Sequence, residues 1–333
     1  MSLKVIARTL GISVTTVSRA LNGYDDVASA TRKRIEEEAS RRGYRPHAAA
    51  RRLKTGRANA VGLVFPVNTT PLNNSLFSKT LVALDQQLAR QEIDLLLLAD
   101  KPHDNQRALL RMLHSRALDA VIFTRPRPQD PRLMLVQQKG FPFLTLGRSE
   151  LPQPYAWFDF DNHAGPRLAV HYCLDRSISP IAWLGSNDTY TFVRDRRQGY
   201  LDALTQRNIL PDARFVAAVR PSRRAGYQQT LSWLASPQPP RAIITDCSEL
   251  GEGAATALQQ TSRLQGEQAV TLIIYDGLPV DSIVNEPLPA IIQSTQRDPG
   301  ERVAQMMLDL LAGRSVGQLQ ELWQPELRLP DRP

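Results

Sequence analysis

The chain has 333 residues, 42% hydrophobic and 22% charged, the profile of a soluble globular protein long enough for two or three compact domains. No apolar run approaches the roughly 20 residues of a membrane-spanning helix. Two cysteines, Cys173 and Cys247, support neither a disulfide framework nor a cysteine metal site. The net charge of +8 is concentrated: residues 1–57 hold 13 Lys/Arg against 5 Asp/Glu, whereas the other 276 residues carry 28 of each sign. A small basic module on an electroneutral body is the footprint of a nucleic-acid-binding head. The first eleven residues hold Lys4 and Arg8 among spaced apolar residues, without a signal-peptide core, so a cytoplasmic location and no membrane association are expected.

Ser2 is placed to cap a helix over Leu3–Leu10, with Val5, Ile6 and Leu10 along one face and Gly11 as its stop. Ser13 is placed to cap a second helix, Val14–Leu21, ending at Asn22-Gly23. The three-residue connection forces a sharp crossing, a helix-turn-helix, and Ala7 is small enough to let the two helices approach. Val17 and Leu21, four apart, face the core; Thr15, Thr16 and Arg19 are left outside. Thr offers a base edge a hydrogen bond or a methyl contact, and Arg can bridge guanine or grip a phosphate. A third helix runs from about Ala30 to Arg42, after Ser29 and up to Gly43, with Ile35 and Ala39 closing a three-helix core. Tyr44-Arg45-Pro46 breaks the chain. A short Ala-rich helix with a basic face follows over His47–Lys54, too short to hold alone and expected to fold on DNA beside a partner chain.

The run Ile6-Ala7-Arg8, then Leu10 through Gly23, resembles the head of the lac repressor/galactose repressor (LacI/GalR) family, as do Thr31-Arg32, Ile35, Gly43 through Pro46 and Ala49 through Gly56. The resemblance implies a homodimer on a pseudo-palindromic operator in double-stranded DNA. It puts Ser13, Thr15, Thr16, Arg19 and Asn22 of the head, and Ala50, Leu53 and Lys54 of the hinge, at the DNA. Leu53 matches the leucine that wedges into the minor groove, where an apolar side chain unstacks a base step and kinks the duplex.

From Ala58 the pattern changes. Strand-like runs at Ala60–Phe65, Asp94–Ala99, Ala120–Phe123, Phe143–Leu146, Ile181–Leu184, Phe215–Val219, Arg241–Thr245 and Thr271–Tyr275 alternate with amphipathic stretches. These are Leu76–Arg90, Gln106–Ser115, Ala164–Leu174, Arg196–Arg207, Gly226–Leu234 and Glu249–Gln260, with a late helix at Gly300–Ala312 expected to cross between lobes. Repeated βα units predict α/β architecture: two doubly wound parallel sheets, with ligands beyond the carboxyl ends of the strands. The expected organisation is a head over 1–46, a hinge helix and linker over 47–57, and a two-lobed ligand-binding and dimerisation core over 58–333.

Catalytic machinery is missing from this pattern. There is no Walker loop and no G-x-S-x-G elbow, and the five histidines lack metal-ligand spacing. Gly251-Glu252-Gly253 is only a fragment of a dinucleotide fingerprint and reads as helix packing or capping. No enzyme activity, cofactor or metal is expected. The core resembles the family's sugar-binding body, itself similar to periplasmic sugar-binding proteins, in a branch that often responds to α-galactosides and other glycosides. That resemblance implies an effector site with Phe77, Arg148 of Leu146-Gly-Arg-Ser149, Asp161 of Trp157-Phe-Asp-Phe-Asp-Asn162, Arg196, Asp246 and Asp276. The family's second acid after Asp276 is here Gly277. The chemistry suits a sugar: Asp accepts paired hydroxyls, Arg donates to oxygens and an aromatic ring covers the apolar face. Asp161-Asn162 equally suit a cap for the helix at Ala164. Phe77 equally suits plain core, and among Arg194, Arg196 and Arg197 at least one is a surface charge.

Overall fold

The computed structural model describes residues 3–21, 24–44, 57–66, 75–100, 106–293 and 298–330. The chain divides into two compact units, residues 1–59 with 116–119, and residues 60–115 with 120–333. Among the described residues no helix is long and apolar enough to cross a membrane.

The first unit holds α1 (Leu3–Leu10), α2 (Val14–Leu21) and α3 (Ser29–Arg41). Their core is Ile6, Ala7, Val17, Ala20, Val27, Ile35 and Ala39. Val5, expected on the core face, is 40% exposed. A helical step turns it away from Ile6, and Ala7 takes the place. Leu21 packs only partly against this core, and Ala20 is the more buried neighbour. Gly11 ends α1 in the left-handed region at φ 66°, where the Ile12 N–H reaches the Ala7 carbonyl at 3.1 Å. Ser13 then caps α2, its Oγ accepting the Thr16 N–H at 2.9 Å. Ser29 does not cap α3: it is the first helical residue, and Ala28 stands at the cap. Arg32 instead ties α3 to the end of α2 by donating to the Ala20 carbonyl at 3.2 Å.

The second unit contains two six-stranded sheets. In chain order its elements are β1 (Ala60–Pro66), α4 (Ser75–Ala89), β2 (Asp94–Asp100), α5 (Arg107–His114), β3 (Ala120–Thr124), α6 (Pro131–Gln138), β4 (Phe143–Leu146) and β5 (Ala156–Phe160). Then come α7 (Ala164–Leu174), β6 (Ile181–Ser186), α8 (Thr191–Gln206), β7 (Val216–Val219), α9 (Arg223–Leu234), β8 (Ala242–Thr245), α10 (Ser248–Gln260) and β9 (Thr271–Tyr275). The last elements are β10 (Ala290–Gln293), α11 (Pro299–Leu311), β11 (Gln320–Trp323) and β12 (Pro325–Arg328). The first sheet runs β11-β5-β4-β3-β1-β2 and the second β12-β10-β9-β8-β6-β7. All pairings are parallel except that of β12 with β10.

Every expected strand is present in substance, but β5, β10, β11 and β12 were not read as strands, nor α6 as a helix. These strands are four or five residues long and carry polar or proline positions, which hides their period. Helix α11 does not cross between lobes: Val303, Ala304, Met306 and Met307 bury themselves in the first lobe with Leu84 and Leu88 of α4. The chain changes lobe between β5 and α7, between β10 and α11, and at Gln324 between β11 and β12. Helix α8 starts five residues earlier than expected, so Phe192 and Arg196 lie one turn apart on one helix.

The Gly251-Glu252-Gly253 fragment serves packing. A Cβ on Gly253 would sit 2.0 Å from the Arg223 carbonyl oxygen of α9, and one on Gly251 would sit 2.4 Å from Ile274 Cγ2. The α9–α10 backbones therefore meet where only glycine fits. Gly253→Ala is expected to cost roughly 1–3 kcal/mol through forced separation of the two helices, read as a lower midpoint in urea unfolding.

Candidate functional site

Two surfaces carry the chemistry, one in each unit. In the head, α2 turns Val17 and Ala20 inward, which leaves Thr15 and Arg19 exposed and Thr16 half-buried. The Ser13 and Thr16 hydroxyls lie 2.8 Å apart and engage each other. Arg19 donates from Nε to Asp26 Oδ1 at 3.1 Å, and its guanidinium stands 5.0 Å from the centre of the Tyr24 ring. Its side chain remains 44% exposed, so a stronger anion can compete for it. Asn22, Ala50, Leu53 and Lys54 lie outside the described residues.

In the second unit a cavity of about 530 Å³ opens where the strands of both sheets end, the place a doubly wound architecture reserves for ligands. Phe77, Arg196, Asp246 and Asp276 all line it. Arg148 and Asp161 stand outside the lining. Arg148 reaches the wall through Asp159, donating from Nε to Oδ2 at 2.9 Å. Asp161 caps α7, Oδ1 accepting the His163 and Ala164 N–H groups at 3.2 and 3.0 Å, and it also meets Gln324 at 3.4 Å. Among the described residues the lining contains five carboxylates, Asp159, Asp188, Asp246, Asp276 and Glu249, and three guanidiniums, Arg125, Arg196 and Arg220. Asp159, rather than the expected Asp161, lines the cavity, and Asn162 lines it too. The clue was a lone acid inside a strand of aromatic residues, where a buried carboxylate needs a reason to be there.

Of the three arginines on α8, Arg194 and Arg197 are exposed and Arg196 is 4% exposed. Arg194 bridges the lobes, donating to Glu150 Oε1 at 2.6 Å. The Arg196 guanidinium lies against the faces of Tyr275 and Phe192, 3.4 and 4.8 Å from their centres. It donates to Asn162 Oδ1 at 2.8 Å and to the Asp246 carbonyl at 2.5 Å. Phe77 does both jobs weighed for it, lining the cavity while packing on the first lobe's core.

Burial pushes the Asp246 carboxyl up to about 6, and does the same to Asp159 despite Arg148 beside it. Asp276, held at φ 65°, is also pushed up by burial, and Arg125 is pulled down by it. Asp246 Oδ2 accepts the Ser186 N–H at 2.6 Å, while its Oδ1 is sealed from solvent beside the Cys247 thiol. Burying this carboxylate costs stability. A carboxyl whose folded value lies above its ordinary one weakens the fold as pH rises from about 4 through about 6. Asp246→Asn should therefore raise the unfolding free energy of the ligand-free protein, measured in urea at pH 7.5, by about 1–3 kcal/mol. The gain should vanish near pH 4, where the native carboxyl is already protonated.

Comparison with known proteins agrees with this division. Residues 2–47 match the model of bacterial regulatory proteins of the lacI family, and residues 58–320 that of periplasmic binding proteins and the sugar-binding domain of the LacI family. The chain is 46% identical over 325 residues to the HTH-type transcriptional regulator RafR of Escherichia coli, covering 98% of this chain and 96% of RafR. It is 32% identical to the HTH-type transcriptional regulator AglR of Rhizobium meliloti, over 98% of this chain and 92% of that one. A crystal structure of a Yersinia pestis protein, 40% identical, superposes with a TM-score of 0.78 over 82% of this chain and 98% of that one. The lac repressor dimer bound to operator and the anti-inducer ONPF shares the fold, with a TM-score of 0.84 at 21% identity over 99% and 98% of the two chains. A helix-turn-helix head and a two-lobed core with a polar cavity thus occur together in a chain that belongs to the lacI family of bacterial regulatory proteins.

Proposed function

We propose that this protein is a cytoplasmic repressor of a carbohydrate-utilisation operon, released from a pseudo-palindromic operator when an uncharged glycoside, an α-galactoside first among them, binds the core cavity. The observation that carries the reading is the cavity itself: a pocket of sugar-binding composition in a chain whose head presents Thr15 and Arg19 outward. A surplus of carboxylates over guanidiniums disfavours a phosphorylated ligand by like-charge repulsion. The protein acts by binding, without chemistry on its effector.

In this reading residues 1–46 form the head, 47–57 the hinge and 58–333 the effector-binding and dimerising core. Two heads and two hinges grip one operator. Thr15, Thr16 and Arg19 read bases in the major groove, and Ser13 and Asn22 contact the DNA beside them. Leu53 wedges the minor groove between Ala50 and Lys54. A sugar releases the operator only by binding one lobe arrangement better than the other, and a coupling of a few kcal/mol is enough.

Fluorescence anisotropy of a labelled operator from the protein's own promoter region tests this. Tight binding that weakens steeply with salt and is reversed by one glycoside is expected; no preference for that sequence over random duplex overturns the repressor reading. Arg19→Ala should cost roughly 1–3 kcal/mol of operator affinity, about 5- to 150-fold. Leu53→Ala should weaken operator binding while leaving glycoside affinity, measured by calorimetry, unchanged.

A further inference from the structure

Asn162 occupies the crossing between β5 of the first lobe and α7 of the second, and it is 3% exposed. Its amide has all its bonds made. Nδ2 donates to Asp159 Oδ1 at 3.2 Å and to the Phe160 carbonyl at 2.9 Å, both on the first lobe. Oδ1 accepts from Arg196 Nε at 2.8 Å and lies 3.4 Å from the Tyr275 hydroxyl, both on the second. The orientation of the amide is forced: a carboxylate only accepts and a guanidinium only donates, so the nitrogen must face Asp159 and the oxygen Arg196. Both neighbours line the cavity. The amide therefore ties groups of both lobes together at the crossing.

Building on the sugar-effector reading of the cavity, we propose that Asn162 is the positioning residue of the effector site: its two-faced amide holds Asp159 and Arg196 in register across the lobes, so that ligand affinity and lobe orientation are set together. No other side chain of this length both donates and accepts in a fixed plane. An aspartate here would still accept from Arg196, but it would face Asp159 with a second carboxylate and push the site apart. That asymmetry makes a pH test available. Protonating one carboxyl of the pair formed in Asn162→Asp puts a donor back into the contact.

The experiment is calorimetric titration of the full-length dimer with raffinose and other α-galactosides, for the wild type and Asn162→Asp, at pH 7.5 and pH 5. The expected result is a loss of at least about tenfold in affinity for Asn162→Asp at pH 7.5, narrowing relative to the wild type at pH 5. Operator release by the variant should require correspondingly more sugar at pH 7.5. Equal binding by wild type and Asn162→Asp overturns the inference, as does a loss of the same size at both pH values, which would mark simple damage to the crossing. Failure of the wild-type protein to bind any sugar of the panel overturns the sugar reading and this inference with it; the wild-type titration alone separates that failure from the other two.

Discussion

A guanidinium buried between two lobes governs the architecture of the core. Arg196 is 4% exposed, and a cation in such a place is tolerable only if its surroundings supply what water would. They do so from four directions: the Asn162 amide, the Asp246 carbonyl, and the faces of Tyr275 and Phe192. Removing a partner from a buried charge typically costs about 3–5 kcal/mol. The position of β8's end, of β9's last residue and of the crossing at Asn162 are therefore constrained together. Tyr275 is itself fully buried, and a Cβ on Gly165 of α7 would stand 2.8 Å from its ring, so this constraint extends into the packing of the second lobe.

The same arrangement lines the cavity with charge. Asp246 gives its carbonyl to Arg196 and one carboxylate oxygen to the Ser186 N–H, and the burial of that carboxylate costs stability. Because the walls come from both sheets and the chain crosses between them three times, the cavity's shape depends on the relative orientation of the lobes. Contacts that bridge the lobes also occur away from the crossings, where Thr191 N–H meets the Pro126 carbonyl at 3.0 Å and Arg194 meets Glu150. The N-terminal turn of α8 thus touches the cavity with Phe192 and Arg196 and the opposite lobe with Thr191 and Arg194. A regulator needs such an element, since a ligand can shift an equilibrium only by contacting its two states differently.

Much of this was legible in the residues. The heads of α1 and α2, the stop at Gly11 and the cap at Ser13 follow from local rules of turn and helix chemistry, and the structure places them within a residue of expectation. The concentration of positive charge in residues 1–57 and the eight more continuously apolar strands of the core were equally plain, because each is a property of a contiguous segment. Helix α8 was truncated in the reading because its first turn, Thr191-Phe-Val-Arg194, looks as much like a strand as a helix to a periodicity argument.

What the sequence by itself determined is therefore the class of the protein: a basic helix-turn-helix head on a doubly wound, two-lobed body with sugar-like chemistry at the strand ends. Only tertiary structure decided which of two neighbouring acids enters the cavity. Asp159 and Asp161 lie two apart around the end of β5, yet one faces the ligand space and the other caps α7. It also decided that Asn162 joins the lobes, and that α11 belongs to the first of them. The last two choices depend on contacts between residues 34 to 220 positions apart, and a pattern confined to one segment contains no information about what the chain folds against it.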